Sequence, residues 1–515
     1  MSMPANAVKN SNKKGFLGWI EALGNKLPHP IFLFMIFCFI ILLFSYLGHL
    51  FNWQAVNPVT KEKVQAFNIL SKEGLAKVFT SFQTNIMGFR PLTDILIIIL
   101  GISMLEKTGL ISTILRRFFV NLSAKYLTLV VVFVGVSSSV ASDAGFMVLP
   151  PLAGMLFYAT GRNPLVGIIA AYGSVAAGFA SSFFLGVVEV VGFGFTEQAA
   201  RLLDPGISVP IVSNFYFTFI SAFLLPLTAF FVTEKIVSPR LGHYNSEEMN
   251  EVILEKTEIT KEETSGLNYA GIALLLYIVV ILLLVLPSNG ILRGEGGSVL
   301  NSPFMSSIIL IVAGAFFFPG LAYGIKTKSI RSDKDAVRIM TEGISGFAGY
   351  ILVAIFLSQL IKFMEWSNLG LISAINGAEI LKSSGIPIFF LILATILFTA
   401  LLDLIMPSHA GKLALMAPIL VPMFMLLDTH PSVTYLAYRI GDSISNAVSP
   451  LMPYFVILLG FVHRYKKNVG MGTLIANLLP YSISFLMVYV AMFIVWYVLG
   501  LPLGPGVEMD YQLSM

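Results

Sequence analysis

The chain has 515 residues, of which 56% are hydrophobic and 12% charged, with a mean hydropathy of +0.84 and a formal net charge of +4. A soluble chain carries about 25% charged residues and a membrane-crossing helix needs about 20 mostly apolar ones, so this composition describes an all-α polytopic membrane protein. Continuous rather than alternating apolar runs exclude a transmembrane barrel, basic residues spread over loops give nucleic-acid binding no support, and the single cysteine, Cys38, excludes an internal disulfide or a cysteine-based metal site.

In chain order, residues 1–90 hold a polar N-terminus with Lys9, Lys13 and Lys14, a first apolar run at 31–50 and a loop at 52–90. No small-residue cleavage site follows the run, so it reads as a retained span and not as a signal peptide. Residues 91–232 pass through a basic stretch at 105–126 (Lys107, Arg116, Arg117, Lys125) into polar-interrupted pieces at 127–142, 144–160 and 164–195, then a run at 210–232. Segment 233–268 is charged and reads as a solvated cytoplasmic linker between the halves. Residues 269–343 comprise two scaffold spans and a basic loop with Lys326, Lys328, Arg331, Lys334 and Arg338. Residues 344–500 hold runs at 344–363, 385–406, 411–427, 433–461 and 474–499, with Arg464, Lys466 and Lys467 at 462–468. The tail 501–515 has no Lys or Arg.

Short Lys/Arg-rich loops stay cytoplasmic. Placing 105–126, 323–343 and 462–468 there makes the N-terminus cytoplasmic and the tail external. The loop 52–90 argues the other way with Lys61, Lys63, Lys72, Lys77 and Arg90, but long segments translocate largely regardless of charge. The count then balances at about nine crossings only if 127–160 and 385–430 are re-entrant hairpins, each entering and leaving on one side. The two regions also align. Ala144 matches Ala410, Pro164 matches Pro431, Gly173 matches Gly441 and Ser181 matches Ser449, an offset that drifts only from 266 to 268 residues. The hairpins open to opposite sides, so the repeat is inverted. Inverted repeats with interrupted helices point to a secondary transporter whose site lies near the bilayer midplane.

Non-helical backbone is tolerated in hydrocarbon only where protein or a water-filled cavity surrounds it. The stretch SSSVASDAGFMVLPP (137–151) is such a break, the tip of the first hairpin, with Ser137, Ser138, Ser139, Ser142 and Asp143 offering oxygens. Its counterpart, MPSHAGK (406–412), offers Ser408 and His409. Each tip is followed by a broken span. The first, 164–195, is interrupted at GFASS (178–182), with Glu189 beyond it; the second, 433–461, is interrupted within YRIGDSISNAVSPLMP (438–453). Arg439 and Asp442 lie three apart on one helical face, where they can pair. An ionised residue at a helix centre costs about 2.5–3.5 kcal/mol to insert, so they are either a structural ion pair or a binding site. Ser445, Asn446, Ser449 and Pro450 close behind favour the site.

Asp143 and Asp442, with Ser181, Ser445 and Ser449, offer oxygens for a coupling Na⁺, placed at Asp143 or Asp442, or carboxylates that load and release H⁺. Asp143 is equally a good cap for the returning half-helix. Glu189 either couples ions or sits near the external end of its span, while Ser181, Ser182 and Asn446 either line the site or tie helices together. No HExxH, Walker loop, Cys/His cluster or GxSxG elbow is present, so neither an enzyme nor a cofactor is expected.

Four stretches, SDAGFMVLPPL (142–152), GRNPL (161–165), RIGDSISNAVSPLMPYF (439–455) and RPLTDILIIILGISMLEKTGLISTILRR (90–117), resemble the p-aminobenzoyl-glutamate transporter (AbgT) family over about residues 15–500. The resemblance implies a homodimer of nine spans and two hairpins in the bacterial inner membrane. It also implies coupling to a proton or sodium gradient, and transport of p-aminobenzoyl-glutamate or export of sulfonamide antimetabolites. By position, the family's late Arg and Asp fall on Arg439 and Asp442, its flanking prolines on Pro431 and Pro450, its acidic residue on Glu189 and an Asn on Ser182. Leu413 stands where the family's tryptophan, a natural stacking partner for an aromatic ring, follows the lysine of AGKLALMAP (410–418). The expectation is therefore an ion-coupled, alternating-access carrier of a small anionic or zwitterionic substrate. The binding candidates are Ser142, Asp143, Ser182, Glu189, Ser408, His409, Leu413, Arg439, Asp442, Asn446 and Pro450. The Leu413 departure keeps a dicarboxylate or short-peptide carrier open; an ion channel or intramembrane enzyme stands further off.

Overall fold

The computed structural model describes residues 30–57, 61–119, 126–138, 144–244, 259–287, 289–294, 297–299 and 302–512. Helix α1 (Pro30–Leu50) leads into a small antiparallel hairpin, β1 (Gln54–Val56) with β2 (Lys63–Gln65). Then follow α2 (Lys72–Met87), α3 (Arg90–Lys107), α4 (Leu110–Phe119), α5 (Leu127–Ser137), α6 (Ala144–Ala159), α7 (Pro164–Ala177), α8 (Val187–Ala200) and α9 (Phe215–Val232). The scaffold between the halves is α10 (Lys261–Val285), α11 (Ile308–Lys326) and α12 (Asp333–Gly346). The second half comprises α13 (Ala348–Trp366), α14 (Leu369–Ser384), α15 (Ile388–Asp403), α16 (His409–Met425), α17 (Pro431–Asn446), α18 (Pro453–His463) and α19 (Met471–Leu499).

Three stretches differ from the reading of the sequence. The loop 52–90 contains the hairpin and α2, which starts where Ser71 accepts from Gly74 N. Residues 369–384 form a helix in a gap between apolar runs. The first half does not end at 232: the helix continues through a π-turn at Thr233–Val237 and on through Ser238–Leu241. Of the charged linker, 245–258 lies outside the described residues, and α10 begins behind a capping box of Thr260 and Glu263.

Among the described residues, six helical stretches are long and apolar enough to cross a membrane: Lys72–Lys107, Phe215–Leu241, Lys261–Val285, Ile308–Lys326, Ala348–Trp366 and Met471–Leu499. Leu275, Leu283 and Val498 are exposed on them, as lipid-facing positions require. Shorter helices lie on either side of breaks in the chain, α7 and α8 around 178–186, α15 and α16 around 404–408, and α17 and α18 around 447–452, while 139–143, between α5 and α6, lies outside the described residues. Proline sets the register in both halves. Pro164 and Pro431 open α7 and α17 behind side-chain caps from Asn163 and His430, where a missing N–H costs nothing. The start of α5 and the end of α6 come together where Arg162 Nη1 donates to Thr128 Oγ1 at 2.7 Å.

Two apolar cores result. One gathers α5, α6, α7, α9, α18 and α19; the other gathers α1, α3, α8, α13, α14 and α16. Helix α17 feeds both, with Leu436 and Ile440 in the first and Tyr435 and Tyr438 in the second, and every one of its residues is buried. Two glycines allow this. A Cβ on Gly441 would lie 2.3 Å from the Ile396 carbonyl oxygen of α15, and one on Gly192 of α8 would lie 1.9 Å from the Tyr435 hydroxyl. Small residues at helix contacts let backbones approach where no hydrophobic force drives association. At one end of the molecule, the tail ties two loops: His430 N donates to Met509 O, Tyr511 N to Asp428 O, and Tyr511 Oη to Asp204.

Candidate functional site

The interruption after α7 and the middle of α17 complete each other. A helix that stops inside the protein leaves carbonyls and N–H groups unpaired. Here α17 supplies the partners: Ser443 Oγ donates to Ala177 O at 2.6 Å and accepts from Ala180 N at 2.9 Å, and Arg439 Nη2 donates to Phe179 O at 3.2 Å. On the returning side, Gly186 N donates to Glu189 Oε2 at 2.7 Å, so the carboxylate caps α8 at the positive end of its dipole.

Two charge clusters hang on α17. In the first, Arg439 Nη2 lies 2.6 Å from Glu189 Oε1, both side chains buried; among the described residues Arg439 Nε and Nη1 have no partner. In the second, Lys412 Nζ contacts Asp403 Oδ1 and lies 2.6 Å from Asp442 Oδ1, an ion contact off the line of a hydrogen bond. His409 Nδ1 lies 2.8 Å from Asp442 Oδ2, and Tyr438 Oη donates to His409 O. The expected Arg439–Asp442 pair is therefore not made. Each charge meets a counter-charge from a facing element, which satisfies it without folding a side chain back along its own helix. Aromatic rings wrap this region: the His409 ring is 5.9 Å from Phe179, 5.3 Å from Tyr438 and 6.3 Å from Tyr435, and Phe193 stacks edge-on to Tyr435 at 4.7 Å. Beyond Phe193, on the side of the tail, a cavity of about 510 Å³ is lined by Arg90, Asp94, Glu197 and His430.

The structure brings Glu189, Arg439, Asp442 and His409 to one place. Ser142 and Asp143, with Ser139, lie outside the described residues. Ser181 bonds Ser221 at 2.6 Å and Tyr489 at 2.9 Å, and Ser182 closes a local turn with Phe184; both tie helices and loop. Ser408 caps α16 by accepting from Gly411 N, and Ser445 donates to its own helix at Gly441 O. Ser449 and Asn446 are buried at the interruption after α17, Ser449 reaching Asp403 O at 3.5 Å, and Pro450 lies in that interruption. Leu413 is packed into the second apolar core at 2% exposure. Sequence reasoning overlooked Lys412, Asp403 and Ser443. The first two were visible as ionisable residues inside apolar runs, TALLDLIM and AGKLALMAP, which by itself marks a functional position. Nothing distinguished Ser443 from its neighbours.

Residues 15–511 match the AbgT putative transporter family. The chain is 34% identical over 509 residues to the p-aminobenzoyl-glutamate transport protein of Escherichia coli (strain K12), covering 98% of this chain and 99% of that one. The fold is similar to the crystal structure of the Alcanivorax borkumensis YdaH transporter, with a TM-score of 0.88 and 35% identity, over 93% of this chain and 100% of that one. It is also similar to Neisseria gonorrhoeae MtrF, described as illuminating a class of antimetabolite efflux pumps, with a TM-score of 0.90 and 38% identity, over 96% and 100%.

Proposed function

The chain belongs to the AbgT putative transporter family, a multi-pass membrane transporter and not an enzyme, and on that premise we propose that it carries p-aminobenzoyl-glutamate or a related anionic aryl amide, including sulfonamide antimetabolites, by ion-coupled alternating access. The observation that carries this reading is Arg439: a fully buried guanidinium paired on Nη2 and unpaired, among the described residues, on Nε and Nη1. Leaving a buried charged donor unpaired is expensive, and a planar fork is the match for a carboxylate. The Phe179, Tyr435 and Tyr438 rings around His409 offer aromatic faces even though Leu413 supplies none.

We place the protein as a homodimer in a bacterial inner membrane, N-terminus cytoplasmic and tail external, with the α5–α6 and α15–α16 pairs as hairpins entering from opposite faces. The clustering of basic segments supports this orientation. Arg116 pairs with Glu263 at 2.5 Å, Arg162 with Glu234 at 2.7 Å, and Tyr244 donates to Tyr465 O, which gathers those segments at one end away from the tail contacts. The coupling ion is Na⁺ or H⁺, and the module holding the two interruptions moves against the scaffold of α10 to α13.

The test is uptake of labelled p-aminobenzoyl-glutamate into proteoliposomes under separately imposed Na⁺ and H⁺ gradients. Arg439→Lys keeps the charge and loses the fork, and is expected to lower uptake at limiting substrate about tenfold or more, since a hydrogen bond to a charged group is worth about 1.5–3 kcal/mol. No uptake by the folded wild type under either gradient removes the aminobenzoyl assignment. A dicarboxylate or short-peptide carrier then takes its place, a reading that the buried aliphatic Leu413 favours, and a panel of those substrates decides it.

A further inference from the structure

The three side chains Asp403, Lys412 and Asp442 come from three elements: the last residue of α15, the first turns of α16 and the middle of α17. All are buried to within 1% of complete exclusion. Two ionised carboxylates this deep repel each other and need a cation between them. In a sodium-coupled carrier that cation arrives from solution, held by carboxylate and carbonyl oxygens at an interrupted helix, and leaves again with each cycle. Here the position is taken. Lys412 Nζ contacts Asp403 Oδ1 and sits 2.6 Å from Asp442 Oδ1, so an ion bridging the pair would have to lie where the ammonium lies.

We propose that Lys412 is a tethered cation that fills the Asp403–Asp442 pair in place of Na⁺, so that this chain transports without Na⁺. The inference rests on the reading of the chain as an ion-coupled carrier and decides between the two ions left open there. An ammonium on a four-carbon stem suits the role: it is a compact point charge with three rotatable donors, able to serve two carboxylates at once. Because the stem is covalently part of α16, the charge stays when the substrate leaves. The surrounding groups do not displace it. His409 of α16 holds the other Asp442 oxygen, Tyr438 of α17 is engaged with the His409 carbonyl, and Arg439 is turned to Glu189 of α8. Asp403 Oδ2 and Asp442 Oδ1 make no hydrogen bond among the described residues, the latter being held by its ion contact with Lys412.

The thermal arm of the test needs no transport substrate, so its failure is separate from failure of the aminobenzoyl reading. Thermal unfolding of the purified full-length protein is followed in NaCl and in choline chloride at equal ionic strength. The wild type is expected to melt at the same temperature in both, and its uptake of any substrate it carries is expected to be equal in the two salts. Lys412→Gln removes the tethered charge and leaves the carboxylate pair. Its melting temperature is expected to rise by several degrees in NaCl over choline chloride, and any transport it retains is expected to become Na⁺-dependent. Should Lys412→Gln not fold in either salt, the wild-type comparison of melting temperature and uptake in NaCl and choline chloride decides the proposal alone. A wild type stabilised by Na⁺ specifically, or uptake that stops without Na⁺, overturns the proposal. So does a folded variant indifferent to Na⁺.

Discussion

Arg439 and Glu189 form a buried ion pair that joins α17 to α8, and what each contributes to stability differs from what it contributes to binding. Removing one partner of a buried pair leaves an uncompensated charge and costs about 3–5 kcal/mol. Glu189→Gln is therefore expected to lower stability by about that amount while keeping an oxygen for Gly186 N. Glu189→Gln/Arg439→Gln is expected to recover part of the loss, because the orphaned guanidinium is gone as well. Denaturant or thermal unfolding in detergent measures both; a double variant as unstable as the sum of the singles would mean the two residues do not interact. At this scale the sequence was only partly legible. Arg439 and Asp442 are unmistakable as charges in an apolar stretch, but an (i, i+3) spacing says only that two side chains share a face. It says nothing of which facing helix carries a better partner. Glu189 and Lys412 are 250 and 30 residues away from them in the chain, and only the packing of α8 and α16 on α17 decides the pairing.

Among elements, α17 packs against α7, α8, α15, α16 and α19, and its close approaches are tests of the fold. Gly441→Ala puts a methyl 2.3 Å from the Ile396 carbonyl oxygen, so α15 and α17 must separate, at a cost of about 1–3 kcal/mol for overpacking. Gly460→Ala in α18 meets nothing within 4 Å and is expected to be neutral or slightly stabilising, as Ala exceeds Gly in helix propensity by about 1 kcal/mol. Equal melting temperatures for the two variants would remove the close-packed contact as an explanation. Element positions were the most readable part of the sequence. Prolines and polar clusters announced the interruptions at 178–186 and 447–452 because a helix cannot continue through them. The helix at 369–384 escaped notice because its sequence, LGLISAINGAEILKSS, is neither apolar enough for a span nor polar enough for a loop.

For the whole molecule, the distribution of basic residues makes a prediction about sidedness. Cys38 is the only cysteine, and a Cys38→Ala background allows one reporter at a time. Lys328 and Glu508 are both exposed, in the basic loop after α11 and in the tail. A membrane-impermeant maleimide is expected to label Glu508→Cys in intact spheroplasts, and Lys328→Cys only after permeabilisation. Labelling of both from outside would overturn the orientation and with it the opposed entry of the two hairpins.

The dependence of the first interruption on Ser443 has a consequence in time. The carbonyl of Ala177 waits for a donor 266 residues further along the chain, and a ribosome adds about 5–20 residues per second. For about 13–53 seconds, then, the nascent first half sits in the bilayer with dry carbonyls that no local residue serves, and only emergence of α17 ends the wait. Incompletely folded chains are triaged by chaperones and proteases. Substitutions in α17 should therefore register first as shortened lifetime of newly made protein, visible in a pulse–chase, before any of them is scored as a defect in transport.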